Sequence, residues 1–282
     1  MRRRRFALFA VAVLLTCTAA RVEPARPRIV SLAPHLTELV YAAGAGELLV
    51  GVVEYSDYPA EARRLPRIGD AWRVDMERLL VLKPDMILTW ASGTPDEVVE
   101  RLDALELAHR EIATFRLADV PVALRAIGAI AGTSEAAEAA AAGFDREIAE
   151  LRRRYAAARP VSVFIQLDDQ PVYTVNGRHI ISEVVELCGG RNVFADLPQL
   201  APPVSLEAVI AADPEVIVST DDTIADPLAM WRRWEGLRAV RAGAVYSLSS
   251  DIMARATPRL AAGTRATCTA LDDARRRRER AR

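Results

Sequence analysis

The stretch VDMERLLVLKPDMILTW (residues 74–90) returns as VSLEAVIAADPEVIVST (204–220), and this repetition decides the fold. At a constant offset of 130, Asp75 falls on Ser205, Glu77 on Glu207, Pro84 on Pro214 and Ile87 on Ile217. Each copy predicts an N-cap residue, an early-turn acid, a two-turn amphipathic helix, a proline break and an apolar strand. A second echo, offset by 145, sets TELVYAAG (37–44) against SEVVELCG (182–189). Each of these follows an apolar strand, Arg28–Leu32 in one case and Ser162–Leu167 in the other. Two independent echoes point to a duplicated α/β unit.

Met86–Trp90 and Val216–Thr220 are continuous apolar runs without alternation, as expected of parallel strands covered by helices on both faces. Strand and helix patterns alternate through both halves, which predicts two Rossmann-like α/β lobes with mainly parallel sheets. Between them lies Ser134–Ala158, rich in Ala, Glu and Arg and free of proline. It reads as one long rigid helix of about 25 residues, roughly 37 Å, started at Thr133/Ser134 and stopped by Pro160. Such a helix would hold a cleft at fixed width; the plainer account is a helix packed within one domain. The expected organisation is an N-terminal lobe (27–132), a linker helix (133–159), a C-terminal lobe (160–274) and a basic tail (275–282) that is solvated and frayed.

At 282 residues the chain suits two domains, and 51% apolar against 27% charged residues argues against wholesale disorder. The net charge of −1 hides an uneven distribution. Arg2–Arg5 and the last eight residues hold ten arginines and Glu279; without them, 37 basic and 38 acidic residues fall to 27 and 37. A body of about −10 argues against nucleic acid as a partner.

Arg2–Arg5, the apolar Phe6–Leu15 and the small residues Thr18–Ala20 form the three parts of a secretory signal over residues 1–20. The apolar run is too short to span a bilayer as a helix. Leu14-Leu15-Thr16-Cys17 has the outline of a lipoprotein box, but Thr16 fits poorly before the cysteine, so cleavage after Ala20 is expected. The mature protein is then extracytoplasmic, and Cys188 and Cys268 remain as an even pair in an oxidising compartment, where a disulfide is expected. Two buried free thiols are the competing account. Metal binding is disfavoured, because no histidine or second cysteine stands at ligand spacing.

Enzyme signatures are missing. Gly44-Ala45-Gly46 follows a helix instead of opening one, and no Walker-type loop or nucleophile elbow is present. Asp168-Asp169, Asp221-Asp222 and Asp272-Asp273 read as solvated loop ends, and His35, His109 and His179 are scattered. Aromatics make up only 6% of the chain, yet Tyr55, Tyr58, Trp72 and Trp90 gather at loop or strand ends of the first lobe. Trp90 closes a strand at its carboxyl end, where open α/β sheets bind ligands, and such rings stack on large flat or apolar molecules. Ordinary packing is the alternative for any single ring. Glu77 and Glu207 complement their helix dipoles; as matched acids they also place one carboxylate on each lobe for a basic partner.

RIVSLAPHLTEL (28–39), EYSDYP (54–59), MERLLVLKPDMILTW (76–90), ELCGGRNVFAD (186–196), VSLEAV (204–209) and SDIMARATPRL (250–260) resemble the cobalamin-binding proteins of ABC importers. These belong to the class III periplasmic binding proteins, which also carry haem and siderophores. The likeness spans roughly residues 27–272. It implies that Pro34, His35, Tyr55, Trp72 and Trp90 line the cleft, faced by Asp251, Ile252, Met253 and Arg255 of the second lobe. It also implies that Glu77 and Glu207 dock to arginines of an ABC transporter permease dimer, and that Cys188 and Cys268 form the family's disulfide. Where the best-matched cobalamin binders carry aromatics, this chain has Leu167, Ala201, Ile252 and Met253. A corrinoid held by fewer stacking contacts is the expectation, with haem or a ferric siderophore as the alternative and an envelope enzyme as a distant one. His35 could ligate a metal centre in such a ligand, against a plainer role in the turn. A siderophore site would call for converging arginines; Arg255, Arg73 and Arg178 are the candidates. A monomer without cofactor or metal of its own is expected, with cobalamin as the transported ligand.

Overall fold

The computed structural model describes residues 26–220, 226 and 228–280. The expected signal over residues 1–20, Cys17 and the Asp221-Asp222 pair lie outside them. In the first lobe the order is β1 (Ile29–Ser31), α1 (Pro34–Ala42), β2 (Leu49–Val52), α2 (Met76–Val81), β3 (Met86–Trp90), α3 (Asp96–Ala104), β4 (His109–Ile112) and α4 (Asp119–Ala131). The spine α5 (Ser134–Tyr155) follows. The second lobe runs β5 (Val161–Gln166), a small hairpin of β6 (Asp168–Asp169) and β7 (Val172–Tyr173), α6 (Ile180–Leu187), β8 (Gly190–Asn192), α7 (Leu206–Ala212) and β9 (Val216–Ser219). It ends with α8 (Ala229–Arg232), α9 (Arg238–Arg241), β10 (Val245–Ser247), α10 (Ser250–Met253) and α11 (Leu260–Arg280).

The two main sheets share one topology. Strand order is β2-β1-β3-β4 in the first and β8-β5-β9-β10 in the second, all parallel. The echoes therefore fall on equivalent elements: α2–β3 on α7–β9, and α1 on α6. Asp75 accepts the Arg78 N–H at 3.0 Å, and its counterpart Ser205 accepts the Ala208 N–H at 3.1 Å, so both caps act as the pattern requires. Gly44 and Gly189, paired by the second echo, follow α1 and α6 with φ of 76° and 75°, a conformation that favours glycine at a helix end.

Successive side chains of the buried central strands point to opposite faces and fill both sides of each sheet. Ile29, Leu88, Val163, Ile165, Val216 and Val218 belong to a continuous core running through both lobes and α5. Val30, Ile87 and Leu79 face a satellite core in the first lobe, and Phe164, Ile217 and Trp231 one in the second. On α5, Ala137, Ala141, Phe144, Ile148, Leu151 and Tyr155 are buried at alternating spacings of four and three, one helical stripe. Its 22 residues give about 33 Å, slightly less than expected because the regular helix ends at Tyr155. Its buried stripe joins the shared core, so the helix is a spine and not an element of one lobe.

Two sequence expectations change. Residues 275–280 are not frayed, because α11 runs unbroken to Arg280. Arg275 donates to the carbonyls of Arg159 (2.8 Å) and Cys188 (2.7 Å), and Arg278 pairs with Glu215. The Asp272-Asp273 pair is likewise engaged, accepting the hydroxyls of Tyr155 and Tyr246 at 2.9 Å each. Cys188, at the end of α6, is disulfide-bonded to Cys268 on α11. Among the described residues no helix is long and apolar enough to cross a membrane.

Candidate functional site

In each sheet the chain order reverses beside the central strand, and the carboxyl ends there are where open α/β sheets receive ligands. In the first lobe this point lies between β1 and β3, and it carries His35 and Trp90. Pro34 opens α1, where its missing N–H costs nothing, and His35 follows in the first turn. The His35 ring meets the Trp90 indole edge-on, with centroids 5.0 Å apart and planes at 73°. Trp90 closes β3, and its N–H donates to Thr94 Oγ1 at 2.8 Å. Gly93 leaves room for the ring, since a Cβ there would lie 2.0 Å from the indole.

His35 is buried and its Nε2 has no hydrogen-bond partner. Burial, aided by the charge of Arg255, lowers its pKa to about 4, so the imidazole is neutral at pH 7. With Nε2 sealed from solvent, His35 acts as a buttress for Trp90. Across the recess, His179 caps α6, its Nδ1 accepting the Ile181 N–H at 3.2 Å; burial lowers its pKa to about 4 as well. The recess itself holds about 190 Å³ and is shared between lobes: Trp90, Thr114 and Phe115 on one side, His179, Ala201 and Ala254 on the other.

The first lobe also exposes several large rings, of which Phe115 lines the recess. Tyr55 is 76% exposed, Trp72 67%, and Tyr58 and Phe115 nearly half. Asp70 Oδ1 accepts the N–H groups of both Trp72 and Arg73 at 2.8 Å, fixing the turn that holds the Trp72 indole in solvent. Tyr55 adopts a left-handed φ of 63°, and its carbonyl accepts from Arg255 of the opposite lobe at 3.3 Å.

Arg255, between Ala254 and Ala256 of the recess, is the hub of an ion-pair cluster that joins the lobes. Its NH1 donates to Glu38 Oε1 and to Asp57 Oδ1, both at 2.8 Å, while NH2 lies 3.2 Å from Asp251. Arg259 reaches the same Glu38 oxygen at 3.2 Å and covers the Tyr58 ring at 4.0 Å; Thr257 donates to the other oxygen at 3.1 Å. Burial raises the Glu38 pKa and the two arginines oppose that rise; Asp57, less buried, is held low by Arg255. Arg255 thus reaches across to the first lobe, while Asp251 pairs with Arg255 and Arg259 of its own lobe. Ile252 is half-buried, and Met253 does not face the cleft: it is fully buried against Gly263 and Thr267 of α11.

Glu77 and Glu207 stand exposed in the first turns of α2 and α7. Beside Glu77, Leu80 and Val81 are also exposed. Sequence reasoning missed Glu38, Asp57, Arg259 and Phe115. The 145-residue echo held a signal for one of them, since it pairs Glu38 with Glu183. Glu183 also reaches across the lobes, accepting the Leu117 N–H at 2.9 Å with Arg116 3.9 Å away. No cluster of three metal-ligating side chains occurs among the described residues.

Two parallel α/β lobes on one helical spine, with a cleft across the carboxyl ends of both sheets, define a class III substrate-binding protein. The family model for periplasmic binding proteins matches residues 29–252. The vitamin B12-binding protein of Vibrio cholerae is 38% identical over 266 residues, 92% of this chain and 96% of that one. The protein of the same name from Pectobacterium atrosepticum is 36% identical over 265 residues, 92% of each chain. The crystal structure of the periplasmic vitamin B12 binding protein BtuF of Vibrio cholerae matches with a TM-score of 0.84 at 38% identity, covering 89% of this chain and 98% of that chain. The periplasmic heme-binding protein RhuT from Roseiflexus sp. RS-1 matches with a TM-score of 0.77 at 27% identity, covering 88% and 99%. The chain belongs to the periplasmic binding protein family.

Proposed function

We propose that this protein captures a corrinoid such as cobalamin between its lobes and hands it to an ABC transporter permease dimer. The observation that carries the reading is the aromatic wall of the first lobe. Trp90 lines a recess shared by the lobes, and Tyr55 and Trp72 hold exposed rings on turns of the same lobe, as a large flat ligand requires. A recess of about 190 Å³ admits only an edge of such a ligand, which leaves the exposed rings to cover its face. Relatives at 38% identity that bear the name vitamin B12-binding protein support the same cargo.

Pro34, His35, Asp251, Ile252 and Arg255 complete the site in this reading: His35 beside Trp90 in the recess, Asp251 and Arg255 from the ion-pair cluster next to it. Met253 contributes only packing. The protein acts as a non-catalytic, extracytoplasmic monomer, with residues 27–132 and 160–274 as lobes and 133–159 as spine. Glu77 and Glu207, exposed at equivalent helix starts, offer the permease one carboxylate per lobe for arginine pairing. Haem is the second reading, favoured by the likeness to RhuT. Calorimetric titration of residues 21–282 with cyanocobalamin, and with haem in parallel, tests the assignment. One-to-one cobalamin binding at micromolar Kd or tighter is expected; haem binding without cobalamin binding would overturn it.

A further inference from the structure

We infer that the cleft selects its ligand by charge: the arginines beside its recess are neutralised in advance by the protein's own carboxylates, so it takes a macrocycle with carboxamide arms and rejects one with carboxylate arms. This inference rests on the corrinoid reading and adds the property that separates a corrinoid from anionic macrocycles of similar size.

Arg255 and Arg259 share three carboxylates, Glu38, Asp57 and Asp251. The cluster is formally −1. Glu38 is 2% exposed and Arg255 17%, so these charges act on one another with little screening by water. An anion arriving at Arg255 would have to displace Asp57 or Glu38 from 2.8 Å contacts, and displacing Glu38 strands a buried carboxylate. The other arginines at the cleft offer little in compensation. Arg178, at the rim of the recess, donates to the Pro198 carbonyl, and Arg116 lies beside Glu183. The two recess histidines add no charge, since both are neutral at pH 7.

Carboxamides fit the same groups. Asp57 and Asp251 are each about two-fifths exposed and act only as acceptors, with lone pairs in excess of their arginine contacts for amide N–H donors. A neutral ligand therefore adds hydrogen bonds without breaking the ion pairs, whereas a polyanion meets a cluster that already carries excess negative charge. Glu38 and Asp57 are the specificity-determining residues: Glu38 holds both arginines, and Asp57 covers Arg255 from the side of the aromatic wall.

The test compares two corrinoids of one ring and different arms. Cobinamide carries amides; cobyrinic acid carries carboxylates at the corresponding positions. Both are titrated calorimetrically into the wild-type protein, Asp57→Asn and Glu38→Gln at pH 7.5, with haem as a third probe. Circular dichroism checks the fold, and Asp57→Asn, at a half-exposed site, keeps the test open should Glu38→Gln misfold. Wild type is expected to prefer cobinamide by at least 100-fold. Asp57→Asn should narrow that preference at least fivefold and Glu38→Gln at least tenfold. Wild type that binds cobinamide but keeps its preference unmoved in Asp57→Asn and in folded Glu38→Gln overturns the charge filter and leaves the corrinoid reading standing. Wild type that binds haem and neither corrinoid overturns both.

Discussion

Lowering the pH from 8 to 5 should destabilise the fold through His35, and the size of the loss follows from its burial. The imidazole titrates near 6.5 in an unfolded chain and at about 4 in the folded one, where burial and Arg255 disfavour its charged form. Between those values the unfolded state binds more protons, so stability falls as pH falls; it is intact above pH 6.5 and the loss is complete below pH 4. At pH 5 the unfolded imidazole is almost fully protonated and the folded one mostly neutral. Linkage then puts the loss at about 2 kcal/mol from this one group. Other groups titrate in the same interval. Glu38, whose pKa is raised, works in the opposite direction, and His179, also lowered to about 4, adds a similar loss. Comparison with His35→Asn removes them from the result, because they are common to both chains. The variant also loses the edge contact with Trp90, a cost that is the same at either pH and cancels. Denaturant unfolding followed by circular dichroism, at pH 8 and pH 5, gives the four stabilities needed. Wild type should lose about 2 kcal/mol more than His35→Asn over this interval. Equal losses in the two chains would refute the burial argument.

Trp90→Ala should weaken cyanocobalamin binding at least tenfold, about 1.4 kcal/mol, in a calorimetric titration; an unchanged Kd would remove the indole from the site. Glu77→Arg combined with Glu207→Arg should leave ligand affinity intact and abolish delivery, measured as corrinoid uptake by permease-containing proteoliposomes, and normal uptake would defeat the docking role. Cys188→Ser with Cys268→Ser opens a covalent loop with a sequence separation of 80 residues. Chain entropy values that closure at roughly 4.5 kcal/mol, so the Tm should fall by about 10 °C in calorimetry, and a fall below about 3 °C would contradict it.

Much of the architecture was legible because the duplication writes it twice. Asp75 and Ser205 cap equivalent helices, Pro84 and Pro214 break them, and the strands that follow sit at equivalent places in two identically ordered sheets. Trp90 was legible for the same reason, as the last residue of an apolar run that had to be a buried strand. What stayed hidden depends on direction or on distant partners. Met253 belongs to a four-residue helix, too short to carry a periodicity that sorts inward from outward residues. His35 lies at the cleft as expected, but only packing reveals that its ring supports Trp90. The terminal arginines read as solvated because their charge dominates the composition; in the fold, Arg275 reaches the carbonyls of Arg159 and Cys188 and ties the end of α11 down. Glu38 finds its partners more than 200 residues along the chain, and no local pattern announces them.

Glu38 and its counterpart Glu183 bear on how far the cleft opens. Each lies in the first helix after the first strand of its lobe, and each reaches into the other lobe. Glu38 binds Arg255, Thr257 and Arg259 of the second lobe; Glu183 binds the Leu117 N–H of the first. Duplication thus produced two interlobe struts from one ancestral position, in addition to the α5 spine. Separating the lobes at Glu38 would break its ion pairs with Arg255 and Arg259 and its hydrogen bond from Thr257, a cost that water entering the gap repays in part. The second strut adds to it, although Glu183 accepts a backbone N–H and contributes less than an ion pair. Ligand entry therefore proceeds through a cleft whose width is set before binding. Selectivity must then come from what the walls present, namely rings on one side and arginines already paired with carboxylates on the other, and not from closure around the ligand.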